Sequence, residues 1–371
     1  PRYRLLEPTR QYALEKLAAS GREADAREAH ARYFLAVAEA AAAGLEGQSR
    51  VLWAGRLRGE IGNLREALAW WQGRGRVAPA LQLAAALRPF WRQQEYIREG
   101  WGWLSALVAR GDGDLPAQVE ARAHLALAEL AGTLGHWAEG SAHAERSSRG
   151  FAAAGDTLGQ AHALSHRAMN LRYLGRTAEA RAALERAIVL FEEARAERWL
   201  LTSRLHLGVL AFDDGDMAEA RAQIMAVLPA LRAQGDTRLA AVSLLNLATY
   251  TLTMRQREGV AALLAEAIEL ALAIDEQGVV ACALAELADL AALDERPLLA
   301  ARLLGASRAV HERANLPIIL SERPFHERAE AAARAALGDG PFAAALADGA
   351  ALAPAAAARE THPASTAPPG A

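Results

Sequence analysis

Three histidines carry the most chemical promise in this sequence. His162 and His166 stand four residues apart, a spacing that places both rings on one face of a helix. His206 follows His166 by forty residues. Imidazoles set out in this way could ligate a transition metal, bind an anion or change charge near neutral pH. They serve equally well as ordinary polar groups of a groove. Neighbouring packed helices lie about 10 Å apart, so convergence on one ion demands particular rotamers. No metal site and no cofactor is assigned.

Other candidate groups read as surface or core. Glu192-Glu193 and Asp213-Asp214 pair carboxylates as an acid–base site would, but both pairs stand near helix ends or turns, where solvated charge is the simpler reading. Six of the eight tryptophans fall between residues 53 and 103 (Trp53, Trp70, Trp71, Trp91, Trp101 and Trp103). They could wall an aromatic pocket; packing of irregular helices accounts for them more simply. Cys282 is the single cysteine, which excludes a disulfide framework and fits a reducing cytoplasm. No Ser/His/Asp set has convincing spacing. No Gly-rich loop ends in Gly-Lys-Ser or Gly-Lys-Thr, the arrangement whose amides and lysine cradle phosphates. The sequence reads as a binding protein and not as an enzyme.

The elements that must position these groups follow from a forty-residue period. Gly135, Gly175 and Gly215 stand in phase, followed by Trp137-Ala138-Glu139-Gly140, Thr177-Ala178-Glu179-Ala180 and Met217-Ala218-Glu219-Ala220. The same step carries Ala128 to Ala168, Gly208, Ala248 and Ala288. It carries Gly140 to Ala180, Ala220, Val260 and Ala300, and Ala144 to Leu184, Ile224, Leu264 and Leu304. Small residues in the first two columns let paired helices approach, and the third column fills the space between neighbours. The glycines mark tight turns that need positive φ; Arg255 and Glu295 occupy that position in the last two copies. Gly155-Asp156-Thr157 and Gly235-Asp236-Thr237 end one repeat and offer an aspartate N-cap to the next helix.

These columns resemble the tetratricopeptide repeat in a form of 40 residues. The resemblance implies an all-α, right-handed α-solenoid of about six helix pairs over residues 79–318, including a weaker first copy around Leu87, Glu99-Gly100 and Leu104. It also implies that the first helix of each pair lines a concave groove. On that face stand His162, His166, Met169, Arg172, Tyr173, His206 and Asp213, the expected ligand- or partner-binding residues. Arg122, Glu129, Thr202, Asn246, Thr249, Glu286 and Asp289 share it. The expected occupant is a protein, a peptide or a small-molecule effector.

The ends carry a second resemblance. Arg2-Tyr3-Arg4-Leu5-Leu6-Glu7 reads as a strand ended by Pro8, and Thr9 then caps a helix from Arg10 to Leu17. This run is similar to the end of the winged-helix segment in bacterial signal-transduction ATPases of the STAND, NB-ARC-like class, where a tetratricopeptide sensor follows. His30-x-x-Tyr33-Phe34-Leu35, Glu60-x-x-Asn63-Leu64-Arg65-x-Ala67-Leu68, Ala300–Ala306 and Ala332-x-x-Ala335-Ala336-Leu337-Gly338 extend the likeness across residues 2–348. The resemblance implies a winged-helix remnant at 1–20, an irregular helical linker at 21–78 and capping helices at 319–350. The proline-rich stretch 351–371 reads as a disordered tail. It also implies a regulatory arm of a transcriptional regulator or ATPase switch, expected to begin inside a longer protein; a free-standing assembly scaffold is the alternative. With 41 basic and 44 acidic residues the net charge is −3, which gives no footprint for nucleic acid. No apolar run reaches the roughly 18 residues of a membrane span, and the chain is expected in the cytoplasm.

Overall fold

The computed structural model describes residues 7–46, 49–92, 95–111, 115–318 and 322–361. The chain divides into two compact units, residues 1–200 and 201–371, and every regular element among the described residues is a helix.

The first unit contains α1 (Glu7–Ala19), α2 (Glu23–Glu46), α3 (Arg50–Gly73), α4 (Val77–Ala86), the single turn α5 (Arg88–Trp91), α6 (Ile97–Val108), α7 (Ala117–Leu134), α8 (Trp137–Ala153), α9 (Thr157–Tyr173) and α10 (Thr177–Glu193). Helix α11 (Glu197–Asp213) crosses the division. The second unit continues with α12 (Met217–Gln234), α13 (Thr237–Thr253), α14 (Val260–Ala273), α15 (Gln277–Leu293), α16 (Pro297–Ala314), α17 (Arg323–Leu337), α18 (Asp339–Ala350) and α19 (Pro354–Arg359).

Consecutive helices pack as antiparallel pairs because each helix ends in a tight corner. At the corners Gly135, Gly155, Gly175, Gly215 and Gly235 take positive φ, as do Arg195, Arg255, Asp275, Glu295 and Asn315. Just beyond each, an N–H reaches back five residues: Asp156 donates to the Phe151 carbonyl, Arg176 to Leu171 and Asp216 to Ala211, each at 2.8–3.0 Å. That bond closes a Schellman corner and satisfies carbonyls the helix would leave bare. The next helix is capped at once. Asp156, Asp216 and Asp236 accept from the backbone N–H of Gly159, Glu219 and Leu239 at 2.8, 3.0 and 3.2 Å.

Every member of the three sequence columns is buried, from Ala128 to Ala288, Gly140 to Ala300 and Ala144 to Leu304. Each large member (Leu184, Ile224, Leu264 and Leu304) contributes about 1.5–3 kcal/mol by leaving water. The small members are small by necessity. A Cβ on Gly140 would lie 2.5 Å from Asn170 Oδ1, and Asn170 is fixed because its amide donates to the carbonyls of Ala128 (3.1 Å) and His166 (2.9 Å).

Three expectations change. Helix α1 (Glu7–Ala19) takes in Glu7, Pro8 and Thr9, where a strand ending at Pro8 was expected. The rest of that strand, residues 2–6, lies outside the described residues. The segment 21–78, expected to be an irregular helical linker, is helical, and its two helices of 24 residues each, α2 and α3, are longer and more regular than that expectation. The tail expected to be disordered from residue 351 instead forms α19, with Pro354 opening the helix and Ala357 and Ala358 buried. Glu360 pairs with Arg302 at 2.9 Å, and Arg296 donates to the Glu360 carbonyl at 3.1 Å. Residues 362–371 of the tail lie outside the described residues.

The tryptophans pack. Trp71 and Trp91 are in the core of the first unit. Trp91 Nε1 donates to the Ala84 carbonyl at 2.9 Å, and the indoles of Trp70 and Trp71 donate to Glu28 at 3.3 and 3.0 Å.

Candidate functional site

A cleft of about 520 Å³ opens in the first unit, within the ~300–1,000 Å³ range of ligand sites. Helices α2, α4, α7 and α9 form its walls. Its floor is apolar, from Ala42, Ala85, Val119, Leu125, Phe151 and Leu158, and Glu39, Gln82, Gln118, Arg122, Asp156 and His162 add polar groups. The polar groups include cations and anions, so a bound chain would meet both signs of charge.

Beside the cleft lies a charge cluster. Arg88 Nη1 donates to Glu129 Oε2 at 3.0 Å and Arg92 Nη1 to Glu129 Oε1 at 2.9 Å; His166 Nε2 stands 3.9 Å from Glu129 Oε2. Burial alone would raise the Glu129 carboxyl, but Arg88, then His166 and Arg92, hold it down to about 2. Burial, followed by the charge on Arg88, lowers His162 to about 3. Burial also lowers His166, against the pull of Glu129. Both imidazoles are neutral near pH 7, ready to donate or accept one hydrogen bond at each nitrogen as the tautomer allows. A second imidazole pair, His124 and His143, stacks with Nδ1 atoms 2.9 Å apart, so one ring donates and the other accepts.

The structure sorts the expected binding residues. His162 lines the cleft and meets the edges of Phe191 and Trp199 at 5.2 and 4.4 Å between centroids. His166 belongs to the Glu129 cluster. Met169 is half-buried on α9 and does not line the cleft. Tyr173 is exposed and stacks on Trp137 at 5.2 Å, with the Arg172 guanidinium 5.1 Å from its ring. His206 (half-buried) and Asp213 (exposed) belong to α11 in the second unit. Two residues read as groove-facing are covered: Glu286 and Asp289 are 3% and 2% exposed. Helix α17 packs on α15, and its Arg328 grips Asp289 with two bonds of 3.0 and 2.7 Å, while Thr249 donates to Glu286.

Arg88 and Arg92 escaped sequence reading. A usable signal exists: facing helices of successive repeats bring together residues 37–41 apart, as in Arg92/Glu129, Arg88/Glu129, Thr249/Glu286 and Asp289/Arg328. Opposite charges at that separation would have located the cluster.

No family model matches the chain. HTH-type transcriptional regulators of Mycobacterium bovis and Mycobacterium tuberculosis, so named on provisional grounds, are 43% identical over 107 residues, which is 29% of this chain. The matched segment spans only 12% of those relatives. Among solved structures, the Cut9–Hcn1 hetero-tetramer of the APC/C aligns with a TM-score of 0.52 and 17% identity, covering 80% of this chain and 52% of that one. The Rap conjugation gene regulator of plasmid pLS20, in complex with the Phr* peptide, aligns with a TM-score of 0.51 and 12% identity, covering 81% and 94%. At these identities the likeness shows fold alone. No helix among the described residues is long and apolar enough to cross a membrane. The chain has the all-α fold of a tetratricopeptide-type solenoid, built from helix pairs.

Proposed function

We propose that this chain is the partner-binding arm of a bacterial transcriptional regulator, and that it takes a protein segment or peptide in the cleft between α2, α4, α7 and α9. The cleft itself carries the reading. Its trough of small and apolar residues accepts side-chain anchors, and Arg122, Gln82, Gln118, Glu39 and Asp156 can bond a backbone or charged side chains. The partial likeness to the mycobacterial regulators supports the regulatory setting, and the peptide held by the pLS20 regulator is a precedent for the fold. The finer assignment, a sensor arm of a STAND-type ATPase, rests on the sequence resemblance over residues 2–348. His162 lies in the cleft. His166, Met169, Arg172 and Tyr173, in the same unit as the cleft, are proposed to contact the longer parts of a partner; His206 and Asp213 belong to the second unit.

Panning a displayed peptide library against the full chain tests this. Selected peptides should lose at least tenfold in affinity for Val119→Trp and for Arg122→Glu. Peptides that bind both variants as tightly as the wild type would place the site elsewhere.

A further inference from the structure

The second unit holds a buried cluster that the cleft does not use. His311, near the end of α16, directs Nε2 at Glu322 Oε1 from 2.8 Å. His326, in the first turns of α17, directs Nε2 at the same oxygen from 3.0 Å. The three ligand atoms lie within 4.8 Å of one another, and all three side chains are at most 7% exposed.

Two features of this cluster call for a cation. The first is the tautomer of His311. Its Nδ1 lies 3.2 Å from the Leu316 carbonyl, an acceptor only, so Nδ1 carries the hydrogen. Its Nε2 is thereby aimed at the same Glu322 oxygen that His326 Nε2 faces. A backbone carbonyl on the far nitrogen is also how metal-ligating histidines are commonly oriented. The second is charge. Glu286, Asp289 and Glu322 are all at most 4% exposed. Arg328 answers Asp289 and Thr249 donates to Glu286, so Glu322 is the carboxylate that faces His311 and His326. The second oxygen of Glu322 is buried, and the Cys282 thiol stands beside this carboxylate. A buried carboxylate needs close partners.

We propose that His311, Glu322 and His326 form a binding site for a divalent transition ion of the zinc class. Two imidazoles and one carboxylate are a recurrent zinc ligand set, and bonds of about 2.0–2.2 Å set tetrahedral edges near 3.3 Å. The observed separations of 2.8 and 3.0 Å need only a small outward movement of the rings. One doubly charged ion also balances the buried Glu322 carboxylate. The ion ties the end of α16, the chain leading into α17 and α17 itself into one unit, so its role is to hold the C-terminal helices in place.

Zinc titration of the tag-free, chelator-stripped full chain tests the site. Calorimetry should give one ion per chain, and the thermal midpoint should rise on adding zinc. Glu322→Gln and His326→Gln should each weaken binding by about 10–100-fold, while His162→Gln should leave it unchanged. Absence of binding, or variants that bind as the wild type does, would overturn the assignment. X-ray absorption at the zinc edge of the wild-type chain supplies a readout independent of variant folding. A ligand shell with two imidazoles supports the site, and a shell without them refutes it.

Discussion

At the scale of single residues, Glu129 concentrates the electrostatics of the first unit. Its side chain is 10% exposed, and Arg88 and Arg92 are 20% and 48% exposed. Removing the carboxylate takes from two partly desolvated guanidinium groups the acceptor they share. Glu129→Ala should therefore cost about 2–3 kcal/mol, between the ~0–1 kcal/mol of an exposed pair and the ~3–5 kcal/mol of a fully buried one. Glu145→Ala, which breaks the more exposed pair with Arg167, should cost no more than about 1 kcal/mol. Urea midpoints of the two variants decide the comparison. The histidines make a separate prediction. Burial lowers His124 and His143 to about 4 and His162 to about 3, from an ordinary 6.5. The unfolded chain then takes up these protons first. The stability they confer is complete above pH 6.5 and is lost as pH falls toward 4 and 3. The urea midpoint should decline across that window, and His124→Asn should make the decline shallower. A flat profile would mean that these rings titrate normally in the folded chain.

At the scale of the helix pair, the small-residue columns and the corners make opposite predictions. Ala180 and Ala220 are fully buried, so Ala180→Trp and Ala220→Trp should each lower stability by about 1–3 kcal/mol or more through overpacking. Unchanged denaturation midpoints would show that the columns yield easily. Glu295 is exposed and sits at φ +56. A left-handed conformation costs a non-glycine residue roughly 1–2 kcal/mol, partly offset by the greater freedom of glycine in the unfolded chain. Glu295→Gly should stabilise by about 0.5–1 kcal/mol, read as a higher melting temperature. These elements were the most legible part of the sequence, because a packed repeat forces the same residue size at the same step. The columns, the capping aspartates and the strained corners at Arg255 and Glu295 all stand where the forty-residue period puts them. The ends were less legible. Nothing local distinguishes a proline that a helix takes in, as with Pro8 and Pro354, from one that breaks it; burial of Ala357 and Ala358 against distant helices decides the second case. The groove was legible only in part. Which first-helix residues are open depends on what covers them, and α17, far along the chain, covers Glu286 and Asp289. The His311, Glu322 and His326 cluster was missed because its members do not share the repeat.

At the scale of the whole chain, charge sets expectations for partners. A net charge of −3 supplies no general attraction to phosphate backbones, and nucleic-acid affinity is dominated by that attraction. We expect no sequence-selective binding of duplex DNA at physiological salt and no hydrolysis of ATP by the isolated chain. Fluorescence anisotropy with labelled duplexes and a phosphate-release assay test the two expectations. Nanomolar selective binding, or steady turnover that survives repurification, would refute them.

The corners that recur every twenty residues have a further consequence. A side chain built at Gly135, Gly155, Gly175, Gly215 or Gly235 meets no atom within 4 Å, so the chain at each corner borders open solvent. Extra residues grafted there would leave the buried columns in register, since exposed connections absorb insertions that packed helices cannot. A short glycine-serine segment placed after Gly175 gives up the bond from Arg176 to the Leu171 carbonyl and should lower the melting temperature only slightly. Each corner is thus a port where a recognition loop can be lengthened or exchanged, and each unit can diversify at its corners while its interior stays the same.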